Sequence, residues 1–516
     1  MANKSLFRSI VGKLLPRTDA SNEAGGRAYP LSPKGALAQY AATGCLNGTF
    51  YASAGEQLER ALALATAADA EFVAKTAIYA RERAFMKDMP ALLLAHLSIR
   101  DPDLFARAFS RVVADARMLR TFVQILRSGA VGRKSLGSRP KRLVRAWLSS
   151  RDGDQLFRAS IGQDPSLADI VKMVHPKPDT AERRALYGYL LGRAHDAGLL
   201  APTVKAYEAF KAGATTEVPD VPFLMLTALT LGPREWATIA RSASWQTARM
   251  NLATFARHGV FDEPGTTEVI AAKLRDREAI RRARVFPYQL LAAWMMADAV
   301  PRAVKEALED AMEAATANVP AVDGRVFVCP DTSGSMSSPV TGHRRGATSK
   351  VRCLDVAALV TAAILRKNPD AEVLPFAEGV KKARLDPRDT VTTNAAALAS
   401  LGGGGTNCSA PLAELNRRGA KGDLVVYVSD SESWVDVRAG RGTATMQEWS
   451  RFQVRNPGAR LVCIDVQPYK TTQAADREDV LNVGGFSDQV FEVIAAFRSG
   501  GVGTEHWARV IEEVAI

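Results

Sequence analysis

The stretch from Val326 to Met336, VFVCPDTSGSM, decides the fold. It opens apolar and β-favouring and stops at a proline; an acid and two hydroxyls, Asp331, Ser333 and Ser335, then follow at alternate positions. Three small oxygen-bearing side chains at the end of a buried strand admit three readings: a metal site, a nucleophilic serine or a polar turn. The surrounding chain chooses between them. Further apolar strand candidates, AEVLPF, DLVVYVSD and ARLVCIDV, alternate with helix-like VRCLDVAALVTAAILRK, CSAPLAELNRRG and TMQEWSRFQV. This βαβα alternation predicts an α/β doubly wound, Rossmann-like domain over residues 321–516, its parallel sheet covered by helices on both faces.

In such a sheet the ligand site lies at the carboxyl ends of the strands. DTSGSM follows the first strand, SDSESW follows LVVYV, and LGGGGTNCSAPL places Thr406 after four glycines, in a loop free to bend back. Asp331 and Asp430 are therefore expected in one crevice with the hydroxyls of Ser333, Ser335 and Thr406. Two carboxylates and three hydroxyls are hard oxygen ligands, suited to a divalent metal ion such as Mg2+ that keeps waters or an open position. A nucleophilic serine needs a base, and His343 and His506 lie outside the three loops. The GGGGTN loop lacks the lysine of a phosphate-binding loop. A DxSxS segment alone would pass for a polar turn; with Thr406 and Asp430 at matching strand ends it points to a metal. No enzyme is expected, because metal-dependent phosphoryl chemistry wants more carboxylates and a placed base.

The chain has 516 residues, 47% of them hydrophobic, which is too much for one core. Residues 33 to about 315 read as helix after helix, broken at KDMP, IRDPD and SGAVG, and β-branched alternation is nearly absent. A run of helical hairpins predicts an all-α, HEAT-like solenoid over residues 1–320. Charge singles out part of it. Residues 1–150 hold 23 Lys and Arg against 11 Asp and Glu, which accounts for the whole formal charge of +12. Between Leu104 and Ser150 the only acid is Asp115, while Arg120, Arg127, Lys134, Arg139, Lys141, Arg142 and Arg145 are among the bases. Such a field attracts polyanions, and a solvated face would interleave acids. The loop in GRKSLGSRPKRLVRAWL offers backbone NH groups and bases that can follow phosphates, with Trp147 expected in the core. No apolar run reaches membrane-spanning length, and the N-terminal MANKSLFRSIVGKLLPRTDA lacks the apolar segment of a signal peptide, so a cytoplasmic, membrane-free protein is expected. Five scattered cysteines without CxxC spacing suggest reduced packing residues.

Asp331, Ser333, Ser335, Thr406 and Asp430 resemble the DxSxS, Thr and Asp ligands of the metal-ion-dependent adhesion site (MIDAS) of von Willebrand factor A domains. That resemblance implies a binding module whose metal takes its last ligand from an acidic group of a partner. The segments YPLSPKGALAQYAATGCLNGTFYASAGEQL, AIYARERAFMKDMPALLLAHLS and GSRPKRLVRAWLSS, followed by DIVKMVHPKP, resemble the TROVE module of the Ro ribonucleoprotein autoantigen family, in a bacterial member. What this implies is a helical ring closed by the A domain, which binds a small noncoding Y-like RNA on its outer surface. Single-stranded ends of misfolded RNA would enter its central hole in RNA quality control. His175 matches a family histidine near the Y RNA surface, with Lys172 and Lys177 beside it. A monomer is expected, with an exoribonuclease such as polynucleotide phosphorylase as a partner linked through RNA. The alternative is a metal-dependent protein-docking adaptor whose basic helices are only a solvated face.

Overall fold

Seven strands form among the described residues: β1 (Tyr29–Pro30), β2 (Val326–Pro330), β3 (Glu372–Val373), β4 (Leu424–Ser429), β5 (Arg460–Asp465), β6 (Thr471–Thr472) and β7 (Val480–Gly484). The computed structural model describes residues 18–516, except 19, 23–25, 44–45, 48–52, 85, 284, 286, 341, 343–349, 434–441, 468–470, 476, 485–488 and 499–505. Cys45, His343 and most of the basic insertion after the DxSxS loop thus lie outside the described residues. Five strands make one parallel sheet in the order β3-β2-β4-β5-β7. All residues of β2 and β4 are buried, as their unbroken apolar runs require of a parallel sheet covered on both faces. The helix Cys353–Lys367 packs on β2 and β4 and is buried from Cys353 through Leu365. A separate cluster joins Phe327, Tyr427 and Leu461 of the strands to Leu412, Trp449 and Phe452 of the helices Ala410–Arg417 and Ala444–Arg455. The described cysteines are free and buried.

The chain divides into two compact units, but not by a single cut at residue 320. The α/β unit takes Met1–Ala61, Arg284–Met295 and Glu309–Val510; the helical unit takes Leu62–Ala283, Met296–Leu308 and Ile511–Ile516. The N-terminal residues join the α/β unit because β1 pairs antiparallel with β6, Tyr29 opposite Thr472. Two helices, α1 (Pro33–Thr43) and α2 (Ala54–Ala67), follow β1.

The helical unit continues with α3 (Ala70–Glu82), α4 (Asp88–Arg100), α5 (Pro102–Val112), α6 (Ala116–Ser128), α7 (Ser138–Ser149), α8 (Gly153–Ala159) and α9 (Leu167–Val174). Residues 62–283 contain no strand among those described. The breaks fall where KDMP, IRDPD and SGAVG stand. Asp69, Asp101, Asp115 and Ser166 accept amide hydrogen bonds as N-caps of α3, α5, α6 and α9, and Pro102 opens α5. Gly129, at φ 88°, closes α6 in the left-handed region. Phe105 and Phe109 of α5 pack on Phe122 of α6 with ring centroids 5.7 and 5.6 Å apart.

The sheet tolerates no added volume at Gly422, where a Cβ would lie 2.3 Å from Cε2 of the fully buried Phe327 ring. Gly422→Ala is expected to destabilise the α/β unit by about 1–3 kcal/mol through overpacking. A thermal melt checks this: an unchanged midpoint would mean that the ring yields freely.

Candidate metal centre and nucleic-acid interface

The sheet order reverses between β2 and β4, the place where α/β folds open a crevice. Asp331 directly follows β2 and Asp430 directly follows β4. The Asp331 amide donates to Val428 O at 2.9 Å, so the loop leaves the sheet in register. One carboxylate oxygen, Oδ1, accepts the Ser333 amide at 2.8 Å, and Oδ2 accepts the Ser429 hydroxyl at 2.5 Å. Thr332 turns the other way and staples the loop to Phe376 O through its amide and hydroxyl, at 2.7 and 2.8 Å. This alternation sets the Ser333 and Ser335 hydroxyls 3.3 Å apart on the Asp331 side. The Ser335 hydroxyl also hydrogen-bonds the Asp430 carboxylate.

The glycine loop is bent back by two residues in the left-hand half of φ space, Gly403 at 118° and Gly404 at 100°. That bend lets Gly403 donate to Thr332 O and Gly334 donate to Gly404 O, both at 2.8 Å. Lys381 pins the same loop, donating to Leu401 O at 2.6 Å and Gly403 O at 2.8 Å. Thr406 is buried in this loop, and its carbonyl accepts the Ser433 hydroxyl at 3.4 Å. The structure therefore joins Asp331, Ser333, Ser335 and Asp430 in one hydrogen-bonded and electrostatic network. Thr406 lies in the adjoining loop, and all five are buried.

Burial, then the neighbouring Asp430 charge, pushes the Asp331 carboxyl up to about 7, and burial raises Asp430 as well. Two buried like charges with three hydroxyls and no nitrogen or sulfur donor fit a hard divalent cation. Among the described residues no group of three or more His, Cys, Asp or Glu side chains could hold a metal ion.

The basic residues separate into two groups. Arg120 is half-buried: its guanidinium lies against Gly162 and donates to Ala159 O at 3.3 Å, tying α6 to the segment after α8. Arg139 pairs with Asp103 at 2.6 Å. Both side chains thus have a partner within the helical unit. Arg111 likewise draws Glu82 from a neighbouring helix, while the stretch's own acid, Asp115, pairs outward with Arg81. Arg127 and Arg145 both reach the last turn of α9, at Met173 Sδ and Val174 O. Guanidinium groups are favoured there because helix carbonyls point outward. Lys172 lies in the same turn, and His175 caps α9 in the left-handed region at φ 49°. Lys172, His175, Lys177, Arg142 and Lys134 are exposed, and Lys141 is half-buried. Trp147 is core, 6% exposed, with its indole NH on Val113 O at 2.9 Å.

The family model described as the Ro60 vWA domain matches residues 325–498, and the TROVE domain model matches residues 246–359. A relative described as RNA-binding protein RO60, from Deinococcus radiodurans, is 26% identical over 97% of this chain and 100% of its own length. The chain is thus similar to Ro proteins over nearly its whole length. A Caenorhabditis elegans protein of the same description is 24% identical over 52% of the chain and 42% of its own length. The crystal structure of the D. radiodurans RO (RSR) protein superposes with a TM-score of 0.63 at 23% identity, over 91% of this chain and all of that one, and so shares the fold. As in that Ro fold, a mostly helical region precedes a parallel-sheet domain. The TROVE match lies downstream of the segments that carry the resemblance in sequence. No helix among the described residues is long and apolar enough to cross a membrane.

Several residues around the candidate site escape sequence reasoning. Ser429 bridges Asp331 Oδ2 and the Ser431 amide. Asp465 stands opposite Ser429 at the end of β5 and accepts the Ser431 hydroxyl. The signal for Asp465 was present, since ARLVCIDV carries an acid at the end of its strand, level with Ser429 of LVVYVSD. Burial pushes Asp465 up to about 7 too.

A carboxyl whose folded pKa is raised contributes stability that is full below its unfolded value, near 4, and is lost as pH rises through about 7. The metal-free protein is therefore expected to lose stability between about pH 4 and pH 7. Melts across that range with a chelator present test this; a midpoint that climbs from pH 5 to pH 7 would contradict it.

Proposed function

We propose that this protein is the RNA-binding scaffold of a ribonucleoprotein and not an enzyme. In this reading it acts in the cytoplasm as a monomer and binds a small noncoding, Y-like RNA on its basic helical surface. Single-stranded ends of misfolded RNA enter a central opening, and an exoribonuclease is brought in through the RNA. The gathering of Arg127, Arg145, Lys172 and His175 at the end of α9 carries the reading, supported by relatives described as RNA-binding proteins. Phosphate contacts displace counterions, so log affinity should fall with log salt by about 0.7–0.9 per phosphate neutralised. Replacing the exposed Arg142, Lys172 and Lys177 together by Ala is expected to flatten that slope for a structured RNA. Arg120→Ala should instead lower the melting midpoint of the helical unit. Equal slopes in the triple variant and the parent would remove this surface from the interface, and no RNA binding at low salt would favour the protein-docking adaptor.

The same proposal gives the α/β unit a divalent cation, Mg2+ in the simplest case, held by Asp331, Ser333, Ser335, Thr406 and Asp430. The cation would neutralise the buried carboxylates and offer a position to an acidic group of a partner. Asp331→Asn removes one buried charge while keeping the side chain's shape. It is expected to abolish Mn2+ binding by calorimetry and to raise metal-free stability at pH 8. Retained Mn2+ affinity would show that the carboxylate is not a ligand.

A further inference from the structure

The loop that carries Asp430 is held from the far end of the sequence. Asn22 is 7% exposed, and its side-chain amide donates to Ser433 O at 2.8 Å while its Oδ1 accepts the Gly26 amide at 2.7 Å. The Asn22 amide donates back to Gly26 O at 2.8 Å, so Asn22 and Gly26 clasp each other beside Ser433. Gly26 is required here by close approach: a Cβ would lie 2.1 Å from Ser433 O, a backbone atom without room to retreat. Ser433 passes the contact on, its hydroxyl donating to Thr406 O and accepting the Cys408 amide, both at 3.4 Å. A second grip runs through α1. Gln39 Nε2 donates to Asp465 Oδ2 at 3.5 Å, and Asp465 Oδ1 accepts the hydroxyl of Ser431, a residue at φ 59° directly after Asp430. Pairing of β1 with β6 and the bond from Gln473 Nε2 to Arg27 O at 3.3 Å hold this N-terminal segment to the α/β unit.

We infer that Asn22 and Gln39 are positioning residues for the metal site, setting the Asp430 loop and, through Ser433, the Thr406 loop in their cation-binding arrangement. The inference rests on the metal reading above. It adds residues from outside the stretch matched as the A domain, which begins at residue 325. Outer-shell partners of ligating carboxylates alter metal affinity by about 10–100-fold when removed, because they fix the ligand's orientation. A purely structural contact would lower stability without that selectivity.

The test is Mn2+ titration of the full chain, well below its melting temperature, for the parent, Asn22→Ala, the nearly isosteric Gln39→Met, and Gly422→Ala. Gly422→Ala strains the same unit against Phe327 and touches no proposed ligand. Asn22→Ala is expected to weaken Mn2+ binding by about 10–100-fold and Gln39→Met by a smaller factor, while Gly422→Ala keeps the parent's affinity. Parent-like affinity in both Asn22→Ala and Gln39→Met overturns the inference, as does an equal loss in Gly422→Ala. If Asn22→Ala does not fold, Gln39→Met decides alone. A parent chain that binds no Mn2+ overturns the metal reading itself and the inference with it, a result distinct from a binding parent with unaffected variants.

Discussion

Two carboxylates buried side by side, Asp331 and Asp430, are the constraint around which the α/β unit is arranged. Isolated buried charges cost several kcal/mol each, so such a pair persists only with dense hydrogen bonding or a counter-ion. The structure supplies the first. Ser333, Ser335 and Ser429 donate to the pair, and each is itself held by a loop contact. The parallel register of β2 and β4 puts Asp331 level with Ser429, one residue before Asp430, and the reversal of the sheet between them leaves the crevice open. A third acid, Asp465, follows at the same height on β5.

The helical unit solves an opposite problem. A stretch with eleven bases and one acid between Leu104 and Ser150 would repel itself if its bases faced one another. Packing brings in Glu82 and Asp103 from flanking turns, and helix carbonyls take Arg145 and Arg120. Crowding persists near Lys87, whose ammonium pKa is lowered by burial and by the charge of Arg117. What remains exposed is the smaller set around α9 and the α7 entry. Surface exposure, more than sequence density of charge, thus defines the face open to a polyanion.

Asp331 and Asp430 were legible because each directly follows a strand, where alternation of side chains makes direction a matter of parity, whereas Thr406 was marked only by its glycine loop, which joins the helices Val391–Ala399 and Ala410–Arg417. Thr332 bonds to the β3 side as that rule demands, whereas Ser335 opens a short 3-10 turn in which strand parity no longer sets direction. Asn22 and Gln39 had no such signal. They reach the site through a turn and a helix face some 400 residues away in sequence, and no local pattern encodes a contact at that separation. The partners of Arg120 and Arg139, Ala159 O and Asp103, were hidden from the sequence for a related reason, since each lies 36 or more residues away along the chain.

Local sequence determined the element types: apolar runs made β2, β4 and β5, aspartates and serines capped the helices, and glycines bent the Thr406 loop. It also marked the five candidate oxygen-bearing residues, because strand ends and glycine turns are read over a few residues. Tertiary structure alone decided that the N-terminal residues complete the α/β unit, that β1 pairs with β6, and which bases stay exposed. Those outcomes depend on pairing and burial between residues distant along the chain. Their energies come from removing shared surface from water and satisfying shared hydrogen bonds, which no single segment carries by itself.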